Sequence, residues 1–269
     1  MKILTFSNSK GGVGKTTLTV GLARTLAALG KKTLILDIDP QANISNVFRH
    51  EENKGEKSTL PLWFNLSNEI ENIEKWQKNV INGIEETNTK NIYLVPAYKN
   101  LIKENLAKLQ ISNVGAFVFH KNVNQIKKIL EKLFDYILID TNPTMTILTT
   151  NIFISADEII LPIEPHKFAV EGIGSFFEEY SNTIKELQEI KNDINKNLNY
   201  IIFNKVGKNK MDQAIIEQYM NTSFKNQILD TKIPYNQTLK KQTMLEKINI
   251  TDKSPYFQLV KELNSKGVI

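Results

Sequence analysis

The sequence feature that most constrains the fold is a glycine-rich stretch near the start of the chain, residues 10–17, with the sequence KGGVGKTT. It follows a short apolar segment, residues 3–6, and precedes an apolar helical pattern over residues 18–29. Glycines let the backbone adopt conformations that side chains forbid, so successive N–H groups can converge on an anion at the positive end of the next helix. The stretch therefore predicts a phosphate-binding loop on a strand-to-helix turn.

The residue types of this loop match the chemistry of a bound nucleoside triphosphate. We expect Lys15 to reach the β- and γ-phosphates, Thr16 to place its hydroxyl on Mg²⁺, and Thr17 to lie close to the α-phosphate. The predicted nucleotide-binding residues of the loop are Lys10, Gly11, Gly12, Val13, Gly14, Lys15, Thr16 and Thr17.

The variant form of the loop resembles that of a known family. The general pattern G-x-x-x-x-G-K-[ST] has a glycine where this chain has Ser9, and Lys10 stands directly after it. In this the loop resembles the deviant Walker A loop of the ParA/MinD superfamily of P-loop ATPases. The resemblance implies ATP and Mg²⁺ as cofactors and a catalytic role for Lys15. It also implies that Lys10 reaches across a nucleotide-sandwich dimer to the second subunit's phosphates, as an arginine finger does elsewhere.

Acidic residues end two apolar strand patterns. Residues 33–41, TLILDIDPQ, predict a buried parallel strand ending in acids, and residues 136–143, YILIDTNP, predict a Walker B strand that ends near Asp140. Because ligands bind at the carboxyl ends of the strands in open α/β sheets, we expect these acids beside the phosphate-binding loop. Asp140 is predicted to hold Mg²⁺ through water, together with Thr16.

The family resemblance assigns roles to two of these acids. Residues 37–41, DIDPQ, resemble the family's second motif, which implies that Asp39 orients the attacking water and that Asp37 supports the magnesium site. The alternative is that both acids cap the loop after the strand. Asn142 departs from the D-x-P-P sequence that is more common in the family after the Walker B strand.

Two later segments predict contacts to the nucleotide base. Residues 199–205 predict a strand with Asn204 at its exit, where a side-chain amide offers both a donor and an acceptor to the adenine edge. The family has Asn or Asp at this place, although a turn-forming Asn is the alternative. Residues 233–236, IPYN, resemble the family's loop over the base, which makes Pro234 a predicted nucleotide-binding residue.

Composition excludes several classes of protein. No apolar stretch approaches the roughly 18–20 residues of a membrane span, and the first residues show no secretory pattern, which predicts a cytoplasmic location. The chain has no cysteine, which excludes disulfides and the iron–sulfur reductases that share this type of loop.

Trp63 and Trp76 lie in the region least similar to the family, residues 45–90, and are predicted to belong to a local core.

The net charge of +5 is concentrated in the C-terminal quarter, because residues 201–269 contain 11 lysines and no arginine against 6 acidic residues. Such a bias suits a nucleic acid or an anionic membrane, and a solvated lysine-rich surface is the alternative. The resemblance to ParA proteins implies that Lys240, Lys241 and Lys247 help to form a DNA-binding surface.

Strand and helix patterns alternate along the chain without repeats. They predict one α/β domain over residues 1–269 with a doubly wound, mainly parallel sheet, and we expect no helix-turn-helix domain before the first strand. The resemblance to ParA implies a DNA-partition ATPase that binds DNA nonspecifically as an ATP-bound homodimer. Hydrolysis stimulated by a ParB-like centromere-binding protein would release the dimer, which implies a nucleoid location without stable membrane association.

Two other functions remain as alternatives. A MinD-like ATPase would position its cargo by docking a C-terminal amphipathic helix on anionic lipid. Residues 256–263 have an apolar face but only Lys261 and Lys266 nearby, so they predict a packing helix instead. A nucleotide-gated interaction protein without catalysis is disfavoured by the intact Lys15, Asp39 and Asp140.

Overall fold

The protein is described by a computed structural model, in which residues 1–53, 57–165, 169–190, 200–245, 251 and 253–269 are placed. The strands are β1 (Lys2–Phe6), β2 (Thr33–Asp37), β3 (Glu85–Glu86), β4 (Ile92–Val95), β5 (Tyr136–Asp140), β6 (Glu158–Ile163) and β7 (Tyr200–Phe203). The helices are α1 (Lys15–Ala28), α2 (Asn43–Phe48), α3 (Ile73–Asn82), α4 (Leu101–Gln110), α5 (Val118–Leu133), α6 (Ile147–Ser155), α7 (Ala169–Ile190), α8 (Lys210–Met220), α9 (Gln237–Leu245) and α10 (Pro255–Ser265).

The strands of the described residues form one seven-stranded sheet in the order β3-β4-β2-β5-β1-β6-β7. All neighbouring strands are parallel except β3, which pairs antiparallel with β4 at one edge. The order brings β1 between β5 and β6, so the loop after β1 lies next to the residues that follow those two strands. This confirms the predicted doubly wound, mainly parallel α/β sheet.

Helices cover both faces of the sheet because the central strands are mainly apolar and are buried along nearly their whole length. All five residues of β2 are buried, as expected for a strand covered on two sides. One face packs against α5 and α6, for example through Leu130 and Phe153. The other packs against α1 and α10, for example through Leu22 and Leu259. The two faces therefore form two apolar cores separated by the sheet.

Some boundaries differ from those predicted. The strand predicted over 33–41 ends at Asp37, since the chain turns around Pro40 and reaches a left-handed conformation at Ala42 (φ 56°). The first helix begins at Lys15, three residues before the predicted apolar pattern, because its first turn is formed by loop residues.

The region of residues 45–90 contributes to the core. Trp63 and Trp76 are both buried, and the ring of Trp63 lies 6.0 Å from that of Phe119 on α5. The indole N–H of Trp76 donates to the carbonyl of Leu62 (3.0 Å). This confirms the prediction that the two tryptophans belong to the core.

The last helix packs on the first one. Tyr256, Leu259 and Leu263 of α10 are buried in the core that α1 shares, and the ring of Tyr256 occupies the space beside Gly21. The apolar face of residues 256–263 is therefore covered by protein, which confirms the prediction of a packing helix. Over the part of the chain that is placed, no helix has both the length and the apolar character needed to cross a membrane.

Candidate nucleotide-binding site

A cavity of about 990 Å³ opens at the carboxyl ends of the parallel strands, at the upper end of the size range of small-molecule sites, about 300–1,000 Å³. It is bordered by the loop after β1, the residues after β2 and β7, and helix α9. The lining residues include Gly11, Gly12, Gly14, Lys15, Thr16, Thr17, Asp39, Gln41, Asn204, Lys205, Pro234, Tyr235, Lys240 and Lys241.

Two glycines of the loop adopt conformations that other residues avoid. Gly12 has φ 81° and Gly14, the N-cap of α1, has φ 95°. A Cβ atom on Gly14 would also lie 2.1 Å from Nδ2 of Asn204. Gly11 does not need a conformation that side chains forbid, because its φ is not positive. A Cβ atom there would meet no atom within 4 Å. Gly11 lines the cavity, but the described backbone gives no conformational reason for a glycine there.

The side chain of Lys15 folds back over the loop. Its Nζ donates to the carbonyl oxygens of Asn8 (3.0 Å) and Lys10 (3.4 Å), and the residue is only 7% exposed. Burial lowers the pKa of Lys15, and the charges of Asp140 and Asp39 partly oppose this. Lys15 is thus a buried ammonium held by backbone oxygens, and an anion in the cavity would give it a charged partner.

Asn8 organises the start of the loop, a role that the sequence patterns did not indicate. Its Oδ1 accepts the N–H of Lys10 (2.8 Å), and its Nδ2 donates to the carbonyl of Pro162 in β6 (2.8 Å). The side chain of Lys10 is exposed. The loop is therefore anchored to β6, with the predicted intersubunit lysine on the outside.

The tertiary structure brings Asp37 and Asp140 together. They are register partners on the adjacent strands β2 and β5, and both are fully buried. Oδ2 of Asp140 accepts the hydroxyl of Thr16 (2.9 Å), and Oδ2 of Asp37 accepts the N–H and hydroxyl of Ser45 (2.8 and 2.7 Å). Oδ1 of each carboxylate is buried and has no hydrogen-bond partner among the described residues.

Two buried carboxylates side by side need a positive counter-charge. Burial raises the pKa of Asp37 to about 6, and it raises the pKa of Asp140 well above its ordinary value, with the charge of Asp37 adding to the effect. Both shifts disfavour the ionised form. The available donors, a hydroxyl and carboxylate oxygens with unused lone pairs, are the ligand type that Mg²⁺ prefers. The residues present therefore fit a magnesium ion.

Asp39 lies beyond the end of β2, half-buried, and lines the cavity. Its Oδ1 accepts the N–H of Gln41 (2.9 Å), a turn-forming bond of the kind expected if it only capped the loop. A carboxylate has further lone pairs that can face a water molecule in the cavity. The turn and the predicted water-orienting role are thus compatible.

Asn204 and its neighbour hold the loop. Asn204 is buried, and its Nδ2 donates to the carbonyl of Val13 (2.7 Å). The next residue, Lys205, donates from Nζ to the carbonyl of Gly12 and to Oε1 of Glu164 (2.6 Å). No motif identified Lys205. The contact of Asn204 to adenine stays a prediction, since the observed donor bond goes to the loop.

The segment of residues 233–236 borders the cavity beside the end of β7. Ile233 and Tyr235 pair through their backbones with Val206, beyond the end of β7 (2.9 Å for each bond). Pro234, between them, is exposed and lines the cavity, as does Tyr235. Pro234 thus lies at the cavity, and its contact with the nucleotide base stays a prediction.

The lysines predicted to bind DNA border the same cavity. Lys240 and Lys241 on α9 are exposed and belong to its lining, while Lys247 lies outside the described residues. A change of charge at Lys240 or Lys241 can therefore act on the nucleotide as well as on DNA. Any test of DNA binding at these positions has to measure nucleotide binding separately.

Replacing Asp140 with asparagine should stabilise the nucleotide-free protein by several degrees in Tm and abolish magnesium-dependent hydrolysis. The substitution removes one of two adjacent buried charges, and an asparagine oxygen can still accept the hydroxyl of Thr16. Because the folded-state pKa values of both carboxyls are raised, the stabilisation should be absent below the pKa of a free carboxyl and should grow as the pH rises above it.

Thermal unfolding without Mg²⁺ over a pH series measures this effect. Asp230→Asn, which removes an exposed charge, is the control and should leave Tm nearly unchanged. A lower Tm for Asp140→Asn at neutral pH would show that the paired carboxylates are not a source of instability.

The chain is similar to known proteins over most of its length. Residues 1–200 match the family described as an AAA domain. The chain is 30% identical over 239 residues to the chromosome-partitioning ATPase Soj of Treponema pallidum, covering 87% of this chain and 83% of the relative. It is 26% identical over 272 residues to the sporulation initiation inhibitor protein Soj of Bacillus subtilis, covering 99% of each.

A solved structure has the same fold. The putative plasmid partition protein from Borrelia burgdorferi, bound to AMPPNP, superposes with a TM-score of 0.69 at 24% sequence identity and covers 98% of each chain. At this identity the likeness concerns the fold, which extends over nearly the whole chain.

Proposed function

The chain belongs to the AAA domain family and, within it, to the ParA-type partition ATPases, and from this premise we propose a DNA-partition cycle. ATP closes two copies into a dimer, the dimer binds DNA without sequence preference, and hydrolysis releases it. The observation that carries the ATPase part is that Lys15 and Thr16 line one cavity and that the hydroxyl of Thr16 donates to Asp140, the register partner of the buried Asp37.

ATP and Mg²⁺ are the cofactors. Thr16, Asp37 and Asp140 would hold the magnesium ion, which neutralises charge on the phosphates when it is bound. Lys15 exchanges its backbone partners for phosphate oxygens, a stronger type of hydrogen bond because both groups are charged. Asp39 accepts a hydrogen bond from the attacking water and so orients it towards the γ-phosphate.

We assign Lys10 to the second active site of a homodimer. Its side chain is exposed beside the loop, which supports a contact made between subunits. There it would stabilise the charge that develops on the phosphates, as an arginine finger does. The chain acts as one ATPase domain in this proposal.

A partition ATPase works with a partition partner. We propose that this partner is a ParB-like centromere-binding protein that stimulates hydrolysis, and that the ATP-bound dimer is located on the nucleoid. The MinD-like alternative is not favoured, because the apolar residues Leu259 and Leu263 of α10 are buried against the body of the protein. They offer no apolar face to lipid.

DNA binding should require ATP, should not depend on sequence and should weaken steeply with salt. Lysines bind DNA mainly by displacing counterions, and each phosphate contact adds about −0.9 to the slope of log K against log salt. A dimer also doubles the number of basic faces, which raises avidity. Mobility shifts with unrelated duplexes, with ATP, with ADP and over a salt series, measure all three properties.

The double substitution Lys240→Gln and Lys241→Gln locates the DNA surface when ATP affinity is measured in parallel. Loss of DNA binding with ATP affinity retained supports a DNA contact, and loss of both assigns these lysines to the nucleotide site. Lys31→Gln with Lys32→Gln is the matched control, since these adjacent, exposed lysines precede β2 and so lie at the amino end of that strand, away from the cavity. Absence of DNA binding in the wild type, with ATP-dependent pelleting on anionic liposomes, would contradict the proposal.

A further inference from the structure

Two consecutive residues at the exit of β7 hold two consecutive carbonyls of the phosphate-binding loop. Asn204 donates to the carbonyl of Val13, and Lys205 donates to the carbonyl of Gly12. We propose that Lys205, held by Glu164, is a positioning residue that presets the loop for phosphate. The inference rests on the nucleotide binding of the proposed function and adds a residue to that site.

The physical reason lies in the planarity of the peptide unit. The carbonyl of Gly12 and the N–H of Val13 belong to one trans peptide, so they point in opposite directions. The same holds for the carbonyl of Val13 and the N–H of Gly14. Bonds to both carbonyls therefore fix the direction of two successive N–H groups, and such N–H groups are the anion-binding donors of a loop of this kind.

The backbone of Lys205 is adapted to this contact. Its φ is 56°, in the left-handed region that residues other than glycine seldom adopt. Lys205 lies between the end of β7 and Val206, and the N–H of Val206 donates to the carbonyl of Ile233 (2.9 Å). An uncommon backbone conformation that is held from both sides is a reason to look for a function. Here it directs the side chain of Lys205 back onto the loop.

Glu164 orients the ammonium. Oε1 lies 2.6 Å from Nζ of Lys205, and Glu164 follows β6, the strand between β1 and β7. The two side chains are 33% and 28% exposed, and ion pairs that are open to solvent contribute little to stability. The ion pair therefore acts by holding the side chain of Lys205 in position. Through it, the ends of β6 and β7 are connected to the loop after β1.

The substitution Lys205→Met tests the role, because methionine keeps an unbranched side chain and removes the charged donor. We expect about a tenfold higher Kd for ATP·Mg²⁺, the loss of roughly one hydrogen bond to a charged group. The defect should fall on KM more than on kcat, and Lys205→Arg should restore binding to within about threefold because it keeps a charged donor. Thermal unfolding without nucleotide should change little.

Glu164→Gln tests whether Glu164 acts through Lys205. It should weaken ATP binding less than Lys205→Met does, and it should add nothing in the Lys205→Met background, as expected for coupled residues. Lys208→Met is the matched control, since Lys208 is an exposed lysine three residues further along. It should bind ATP as the wild type does.

Three results would overturn the inference: wild-type ATP affinity in Lys205→Met, additive effects of the two substitutions, or a lower Tm without nucleotide that arginine does not rescue. The last would indicate a purely structural contact. Failure of the wild type to bind ATP would instead overturn the proposed function, so the two failures are distinguishable.

Discussion

Replacing Lys15 with alanine is expected to weaken ATP·Mg²⁺ binding by at least about a hundredfold while the protein stays folded. This loss of affinity corresponds to the loss of charge-assisted hydrogen bonds to phosphate, each of which contributes about 1.5–3 kcal/mol. The fold should persist because the side chain of Lys15 bonds, among the hydrogen bonds described, only to the backbone oxygens of Asn8 and Lys10, and its burial already disfavours the charged form. Nucleotide titration measures the affinity, and circular dichroism checks the fold.

Two further variants sharpen this test. Thr16→Ala should reduce the affinity mainly in the presence of Mg²⁺, because the hydroxyl that bonds to Asp140 is the predicted metal ligand. Lys31→Ala removes an exposed lysine far from the cavity and should bind ATP normally. A folded Lys15→Ala protein with wild-type affinity would remove the loop from the nucleotide site.

Replacing Asp39 with alanine is expected to leave ATP binding in place and to slow hydrolysis by about 10²–10⁴, the usual contribution of a positioned acid or base. Without a group to orient the water, the ATP-bound dimer should accumulate. Single-turnover hydrolysis measures the chemical step, and light scattering with ATP measures the dimer. Normal turnover would contradict a role in orienting water.

The bond from Gln41 to Asp39 provides a matched control. Asp39→Asn keeps a side-chain oxygen that can accept the N–H of Gln41, but it removes the carboxylate. If Asp39 acts on water, both variants should be slow. If it only shapes the turn, Asp39→Asn should hydrolyse ATP at nearly the wild-type rate while Asp39→Ala does not.

Local patterns in the sequence determined the fold class and most of the phosphate site. The apolar runs of β2 and β5, each followed by acids, predicted parallel strands because a strand covered on both faces needs no polar alternation. The stretch 10–17 predicted the loop, because glycine, lysine and threonine act there within a few residues of each other. Such features depend on neighbours in the chain, so the sequence alone reveals them.

The boundaries of these elements were less well determined, since hydrophobic periodicity reports which residues are buried but not where backbone pairing stops. The strand predicted over residues 33–41 ends at Asp37, and α1 begins in the loop itself. Gly11 shows the same limit within the loop. Its residue type matched the pattern, but only the backbone conformation separates it from Gly12 and Gly14.

The order of the strands, and hence which distant residues meet, was decided only by the tertiary structure. The register between β2 and β5 places Asp37 beside Asp140. Both carboxyl groups are buried there, and burial raises the pKa of each. The position of β7 beyond β6 brings Lys205 onto the loop, and the packing of α9 brings Lys240 to the edge of the nucleotide cavity. Periodicity along one segment carries no information about its neighbours in space, so contacts between residues more than a hundred positions apart had to come from the folded chain.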